Sequence, residues 1–413
     1  MNILYIDHYA GSPEMGMEFR PYYLAKEWIK MGHTVRIVAG DYSHLRIHNP
    51  EVKEDFQEEA IDGITYTWLK TGSYEGNGVS RALTMFRFVY KLRKKACWIA
   101  SNWDPDVIIT SSTYPLDTYA GQRIKNYSKK LSRNEKAPIL IHEVHDMWPI
   151  TLIELGGMKK SHPFVVLMQL AENSFCMNSD YVVSLLCAAK HYFVDHGMKQ
   201  EKFKTIMNGV VLEEWSNPSP LPVEHAELLS RLHKEGKFIV CFFGSVNASY
   251  SIDYLIKALE KLSIDTVAVV IVGEGNQKEE LLRIAGKNVF FLPRIPKTSI
   301  PSLMDMIDCC YVGALRNDMF RFGICMNKLF DSMMSGKPIL YAVEAPNNFI
   351  EEYDCGISVD AEDSDALADG IKRMISFSNE EREAMGENGR QAIKDYFSYE
   401  KLAQQFAELF KKE

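Results

Sequence analysis

At 413 residues the chain exceeds what one hydrophobic core ordinarily organises, so two domains are expected. Its apolar content of 46% and charged content of 25% exclude a disordered or fibrous chain, and a formal net charge of −8 speaks against a nucleic-acid partner. No apolar run approaches the roughly 18 residues that cross a bilayer, the first strand starts too early for a signal peptide, and the eight cysteines contain no Cys-x-x-Cys pair. These features predict a cytoplasmic protein with reduced thiols.

In chain order, apolar runs of strand length alternate with helical segments such as Glu18–Met31. The first half offers strands at Asn2–His8, Thr34–Ala39, Val107–Ser111, Ile139–Glu143, Tyr181–Leu186 and Phe203–Met207. The second offers Phe238–Phe243, Ala268–Val272, Val289–Leu292, Cys310–Ala314, Ile339–Val343 and Gly356–Val359. Such alternation predicts an α/β protein with two doubly wound parallel sheets. The expected domains are 1–210 and 211–393, and Asn217–Val223, with three prolines, reads as a linker. An amphipathic helix within 394–413 is expected to pack back on the first domain.

Motifs follow the same order. The loop Ala10-Gly-Ser-Pro-Glu-Met-Gly-Met17 precedes a helix, so backbone at Gly16 is a candidate to approach phosphates or an acceptor. Between Arg81 and Ala100 there are six basic residues and no acid, interleaved with aromatic and aliphatic side chains. That segment, with Arg87, Lys91, Lys94 and Lys95, is a candidate membrane and acceptor patch. His142-Glu-Val-His-Asp146 ends an apolar strand. A metal site there lacks cysteine or histidine partners at zinc spacing, so His145 or Asp146 is expected to face a ligand instead. Alternation puts 143 and 145 on one face and 142, 144 and 146 on the other, without saying which looks toward the site.

In the second half, the glycines of Gly273-Glu-Gly275 permit a tight strand-to-helix turn, but a dinucleotide fingerprint would need a third glycine. Phe322–Leu340 reads as loop, helix and turn, with the helix from Asn327 to Ser335 and Gly336 as its C-cap. Free N–H groups, the helix dipole and Lys328 favour an anion at its start, and Asp331 one turn on is an acceptor for sugar hydroxyls. Phosphate donors beside a hydroxyl acceptor suit a nucleotide-sugar.

The chain resembles glycosyltransferase family 4 of the GT-B superfamily over nearly its whole length. The resemblance rests on the Ala10–Met17 loop, Met31-Gly-His-Thr-Val-Arg-Ile-Val38, Pro105-Asp-Val-Ile-Ile109, Glu143-Val-His-Asp-Met-Trp-Pro149, Met207-Asn-Gly-Val-Val211, Ile271-Val-Gly-Glu-Gly275 and Asn327-Lys-Leu-Phe-Asp331. It implies two Rossmann-like domains facing across a cleft, the second holding the donor, and a retaining hexosyl transfer in the branch that builds bacterial surface polysaccharides. It also implies no metal and no cofactor, only a nucleoside diphosphate sugar as substrate, while the basic segment 81–100 suggests a polyprenyl-diphosphate-linked glycan as acceptor at the inner face of the plasma membrane.

The resemblance implies that the loop from Gly244 faces the donor diphosphate and that Asp331 holds the ribose; with the residue readings above, the candidate donor contacts are Gly16, Gly244, Ser245, Gly273, Glu274, Arg294, Asn327, Lys328 and Asp331, and the candidate catalytic groups His145, Asp146 and Lys328. Where the family often has arginine and lysine after the first glycine, this chain has Ser245 and Tyr250. The first glutamate of the family's E-x7-E motif falls on Gly323, while Asp331 matches the second. Lys328, Arg294, Arg316 and Arg321 are the available substitutes. Alternative readings are a GT-B nucleotide-sugar 2-epimerase and a catalytically inactive nucleotide-sugar-binding or scaffold subunit.

Overall fold

The computed structural model describes residues 1–131, 137–262 and 265–411. The chain divides into two compact units, Met1–Met207 together with the segment from Tyr399 onward, and Asn208–Ser398.

The first unit is built on β1 (Asn2–Ile6), β2 (Thr34–Gly40), β3 (Gln57–Ile61), β4 (Ile64–Leu69), β5 (Val107–Thr110), β6 (Ile139–Val144), β7 (Tyr181–Ser184) and β8 (Phe203–Thr205). They pair in the order β3-β4-β2-β1-β5-β6-β7-β8, parallel throughout except β3 against β4. Ile3 to Ile6 of β1 are fully buried because a central parallel strand is covered on both faces. The sheet is flanked by α1 (Arg20–Lys30), α2 (Val79–Asn102), α3 (Thr118–Leu131) and α4 (Pro163–Asn178). Phe88 and Leu92 of α2, Ala120 and Ile124 of α3, and Met168 and Ala171 of α4 share one core cluster with Leu4, Ile108 and Leu140 of the sheet.

The β3–β4 hairpin has no counterpart among the strands expected from sequence. Its signal is present: Asp62 and Gly63, at φ 51° and 85°, make the turn that an Asp-Gly pair favours.

In the second unit β9 (Phe238–Phe243), β10 (Val267–Val272), β11 (Val289–Leu292), β12 (Cys309–Gly313), β13 (Ile339–Ala342) and β14 (Gly356–Ser358) form a wholly parallel sheet, ordered β11-β10-β9-β12-β13-β14. Between β12 and β13 lies α5 (Asn327–Met334), which buries Leu329, Phe330, Met333 and Met334.

Two expected boundaries move. Val210 bridges Ser398 inside the second unit, so the division falls at Met207/Asn208 rather than 210/211. The return begins at Tyr399 rather than 394, because Phe397 packs on Phe330 and Phe349 of the second unit at ring separations of 5.2 and 5.1 Å. The proline-rich segment is not a linker: Ser219 N–H donates to Thr298 O, and the hydroxyls of Ser302 and Ser299 donate to Ser219 O and Pro220 O. After this unit α6 (Tyr399–Glu408) closes the first, with Phe406 and Phe410 against Trp28 at 5.4 and 5.3 Å and the Trp28 indole N–H donating to Ala403 O at 3.0 Å.

Candidate active site

The second sheet reverses its strand order between β9 and β12, and ligands of open parallel sheets bind beyond the carboxyl ends of strands at such a switch. Here the turns after β9 and β10 lie backbone on backbone. Gly244 N–H donates to Val272 O and Val246 N–H to Glu274 O, both at 2.9 Å. A Cβ on Gly273 would stand 1.8 Å from Gly244 O, and one on Gly275 2.0 Å from Val246 O, so this contact requires glycine. Together the turns wall a cavity of about 300 Å³ lined by Gly244, Ser245, Gly273, Glu274, Arg294 and Ile300. Five expected donor residues thus meet around one space.

Beside it, Lys328 folds back from the first turn of α5. Its Nζ sits 3.2 Å from the Tyr250 ring centroid and 4.0 Å from that of Phe242, and would lie 3.4 Å from a Cβ on Gly244. It has no hydrogen-bond partner among the described residues, and burial pushes its pKa down to about 7. Asn327 is exposed and is the first residue of the helix rather than its side-chain cap. Asp331 is half-buried, with its pKa raised to about 6 by burial against the opposing charge of Lys297, which itself pairs with Glu214 at 2.8 Å. Neither Asn327 nor Asp331 lines the cavity. Of the other cations, Arg316 pairs with Glu344 at 2.7 Å, and Arg321 donates to Asp318 O and lies over the Phe322 ring.

In the first unit the end of β6 carries a buried polar network. Arg20, at the start of α1, pairs with Glu143 at 2.8 Å, and neither side chain is solvent-exposed. The same guanidinium donates to the carbonyls of Met207 at 2.5 Å and Ile206 at 2.8 Å. Glu143 Oε2 accepts from the Tyr5 hydroxyl and, at 2.5 Å, from Ser111 Oγ. His145 Nε2 reaches Ser111 Oγ at 2.8 Å and Glu143 Oε2 at 3.2 Å. Burial opposes charge on His145, yet the hydrogen bond and charge of Glu143 outweigh it and raise the pKa to about 9. His145 is therefore a cation at neutral pH, suited to donating a hydrogen bond and not to accepting a proton.

The alternation left open by the sequence resolves on this network: 143 and 145 share the polar face. His142 points the other way, Nδ1 2.7 Å from Thr110 Oγ1 and its ring stacked on Phe175 at 3.9 Å, and burial lowers its pKa to about 3. Asp146 is exposed. Of the four polar residues of 142–146 only Glu143 and His145 meet, and among the described residues no three His, Cys, Asp or Glu groups converge as metal ligands.

Two expected roles change. Gly16, at φ +104°, donates its N–H to Ser12 O at 2.8 Å and lies so close to Ile47 N that a Cβ would approach to 2.8 Å. Its backbone donor is satisfied within the chain, and its glycine serves loop packing. In the basic patch, Arg87 donates to Thr71 O at 2.9 Å, and Lys91 binds both Asp55 Oδ1 and Lys70 O at 2.6 Å. Those two fasten α2 to its neighbours, while Lys94 and Lys95 stay exposed.

Residues 15–214 match the model described as Glycosyltransferase Family 4, and residues 227–392 the model described as Glycosyl transferases group 1. The chain belongs to glycosyltransferase family 4. It is similar to an uncharacterized glycosyltransferase of Methanocaldococcus jannaschii, 21% identical over 57% of this chain and 59% of that protein. It is also similar to WbjE, a probable glycosyltransferase of Pseudomonas aeruginosa, 23% identical over 63% of this chain and 66% of that one. The chain thus spans about six tenths to two thirds of the length of these curated relatives. Among solved structures, sucrose-phosphate synthase from Thermosynechococcus elongatus shares the fold at TM-score 0.71 and 16% identity, over 99% of this chain and 98% of that one. Anabaena HepE in complex with UDP does so at 0.65 and 17%, over 99% of both chains. The fold is GT-B, two α/β domains on parallel sheets.

Within this family-4 chain the departures from the motif have local reasons. Gly323 sits at φ +101°, where a glutamate would be strained, and Asn347 clasps the next residue by accepting from Ile324 N–H at 2.9 Å and donating to Ile324 O at 2.8 Å. Tyr250, in place of the usual lysine, instead carries the ammonium of Lys328 on its ring face. Sequence reading missed Tyr5, Arg20 and Ser111, whose only signal is polarity inside elements that pattern as buried.

Proposed function

We propose that this glycosyltransferase moves a hexosyl unit, with retention, from a nucleoside diphosphate sugar to a hydroxyl of a lipid-linked oligosaccharide in surface-polysaccharide synthesis, acting as a cytoplasmic protein peripheral to the inner membrane face. The observation that carries the donor half is Lys328: a mostly buried ammonium with no hydrogen-bond partner among the described residues, held over Tyr250 and Phe242 beside the glycine turns. A charge kept there without a counterion is costly until an anion arrives, and a diphosphate supplies one. HepE is described in complexes with UDP and with UDP-glucose, which supports a uridine nucleotide as the first donor to try.

On this reading the diphosphate lies against the Gly244 and Gly273 turns, where backbone can approach closely, with Lys328 on its oxygens. Lys328 stabilises the charge that grows on the leaving diphosphate as the glycosidic bond breaks. The acceptor proton passes to the departing phosphate oxygen. His145 of the first unit, held protonated by Glu143, is suited to donating a hydrogen bond and not to taking a proton.

Titration with UDP and a panel of nucleotide sugars tests the donor half, read by calorimetry and by the rise in thermal midpoint that a native-state ligand causes. At least one nucleotide sugar is expected to bind, and Lys328→Met to weaken it about tenfold or more, the worth of a charge-assisted contact. Nucleotide binding that is absent, or indifferent to Lys328→Met, sinks the reading. Incubation with donor alone separates transfer from epimerisation, which needs no acceptor to turn over.

A further inference from the structure

An apolar groove stays open between α2 and α3. Phe86, Val89 and Tyr90 of α2, Leu116 just ahead of α3, and Leu167 of α4 line a cavity of about 570 Å³. Phe86 and Tyr90 are 38% and 63% exposed, so the lining meets water. Arg93, Lys94 and Arg123 stand along the same cavity. Arg93, Tyr119 and Arg123 continue into an adjoining hollow of about 350 Å³ that adds Lys130. Among the described residues none of these four cations has a carboxylate within ion-pair distance, and Arg93 and Arg123 rest on the rings of Tyr119 and Tyr127 at 5.9 and 5.7 Å. In a chain of net charge −8, four uncompensated cations beside an apolar trough form a local reversal of sign.

The groove also has a telling place in the fold. Leu116 follows β5, and Leu167 lies in the second turn of α4, after β6, so both sit toward the carboxyl edge of the sheet where His145 stands. Trp148, just past His145, packs on Phe164 of α4 at 6.0 Å, and both rings, like Leu167, pack against the core cluster to which Leu116 belongs.

We propose that this groove seats the lipid carrier of the acceptor: an isoprenyl chain in the apolar trough, with its phosphate or diphosphate on Arg93 and Arg123, supported by Lys94 and Lys130. The proposal rests on the acceptor being lipid-linked, as read above. Charge and shape together select this occupant. A free sugar phosphate has no use for the trough, and an apolar protein segment has no use for the cations. It also shifts the acceptor patch from Arg87 and Lys91, which are committed to Thr71, Asp55 and Lys70, to the groove side of α2, where Lys94 of the expected patch remains.

Calorimetric titration of the full chain with farnesyl diphosphate, inorganic diphosphate and farnesol tests it. Farnesyl diphosphate is expected to bind at least tenfold more tightly than either half alone. Arg93→Ala with Arg123→Ala is expected to weaken it about thirtyfold, at roughly 1 kcal/mol for each cation at an anionic surface, with the thermal midpoint retained. Farnesyl diphosphate binding no better than inorganic diphosphate, or as well to the double variant, overturns the proposal; the first comparison needs no variant. UDP titrated into the same wild-type sample keeps the two readings apart. Loss of UDP binding with the lipid result intact removes the donor assignment alone, and an intact UDP result without lipid binding removes the groove alone.

Discussion

The two units manage buried charge in opposite ways. In the first, Arg20, Glu143, Ser111, Tyr5 and His145 satisfy one another, and the arginine's remaining N–H groups reach backbone carbonyls of 206 and 207. In the second, the Lys328 ammonium is also out of water yet faces only ring faces and glycine backbone, although the residue as a whole is half-buried. Internal pairing fixes geometry, because each group holds the next. A missing partner marks a place where something outside the chain completes the charge. The difference separates a network that orients a side chain from a site that awaits an anion.

Breaking the first network has the largest expected consequence. Arg20→Ala leaves Glu143 buried without its cation and is expected to cost about 3–5 kcal/mol of stability, measured by denaturant unfolding. Arg20→Met combined with Glu143→Leu removes both charges and is expected to recover much of that loss; a double variant as unstable as the single one would contradict the paired reading. Lys328→Met is the counterpart in the second unit, and its sign is reversed. It is expected to raise the thermal midpoint while weakening nucleotide binding by about 1.5–3 kcal/mol. A fall in midpoint would show that the ammonium already has a partner.

The pH responses sharpen the same contrast. Folded Lys328 has its pKa lowered to about 7 from 10.5, so between those values the unfolded chain holds a proton that the native one has shed. Its contribution therefore makes stability rise with pH across that interval, and the penalty is full below pH 7. Binding a diphosphate should restore the proton, so UDP titrated at about pH 8.5 is expected to take up nearly one proton in wild type and none in Lys328→Met. Buffers of different ionisation enthalpy read this directly. His145 runs the other way. With its pKa raised from 6.5 to about 9, its stabilisation is complete below 6.5 and lost as pH climbs to about 9. Glu143→Gln is expected to pull the basic limb of the rate profile from about 9 back toward 6.5. An unmoved limb would detach Glu143 from His145. The smallest effect is expected at Arg87→Ala, below about 1 kcal/mol in stability and without change in farnesyl diphosphate affinity, since its contact to Thr71 O is partly solvated.

Much of this architecture was legible because parallel strands buried on both faces read as continuous apolar runs, as in Phe238–Phe243, whose expected limits are its observed ones. The β3–β4 hairpin was not, since Gln57–Ile61 carries Glu58, Glu59 and a largely solvated face that breaks the apolar pattern. Five cavity residues were legible because glycine turns after strands have few alternative uses. Three things were hidden for one shared reason. That Tyr250 would carry Lys328, that Arg20 would meet Glu143, and that Gly16 would give its N–H to Ser12 all depend on which groups the loops and helices bring together. Local spacing does not report that, and only at 142–146 did alternation narrow the choice to two faces.

Finally, the path of the chain sets an order of events during synthesis. Trp28 is sealed by Phe406 and Phe410, and these follow every residue of the second unit. A nascent chain thus carries the first sheet with its α1 face uncapped while the whole of Asn208–Ser398 is made and folds. The unit translated first is the one finished last, its α1 face covered only once α6 has been made.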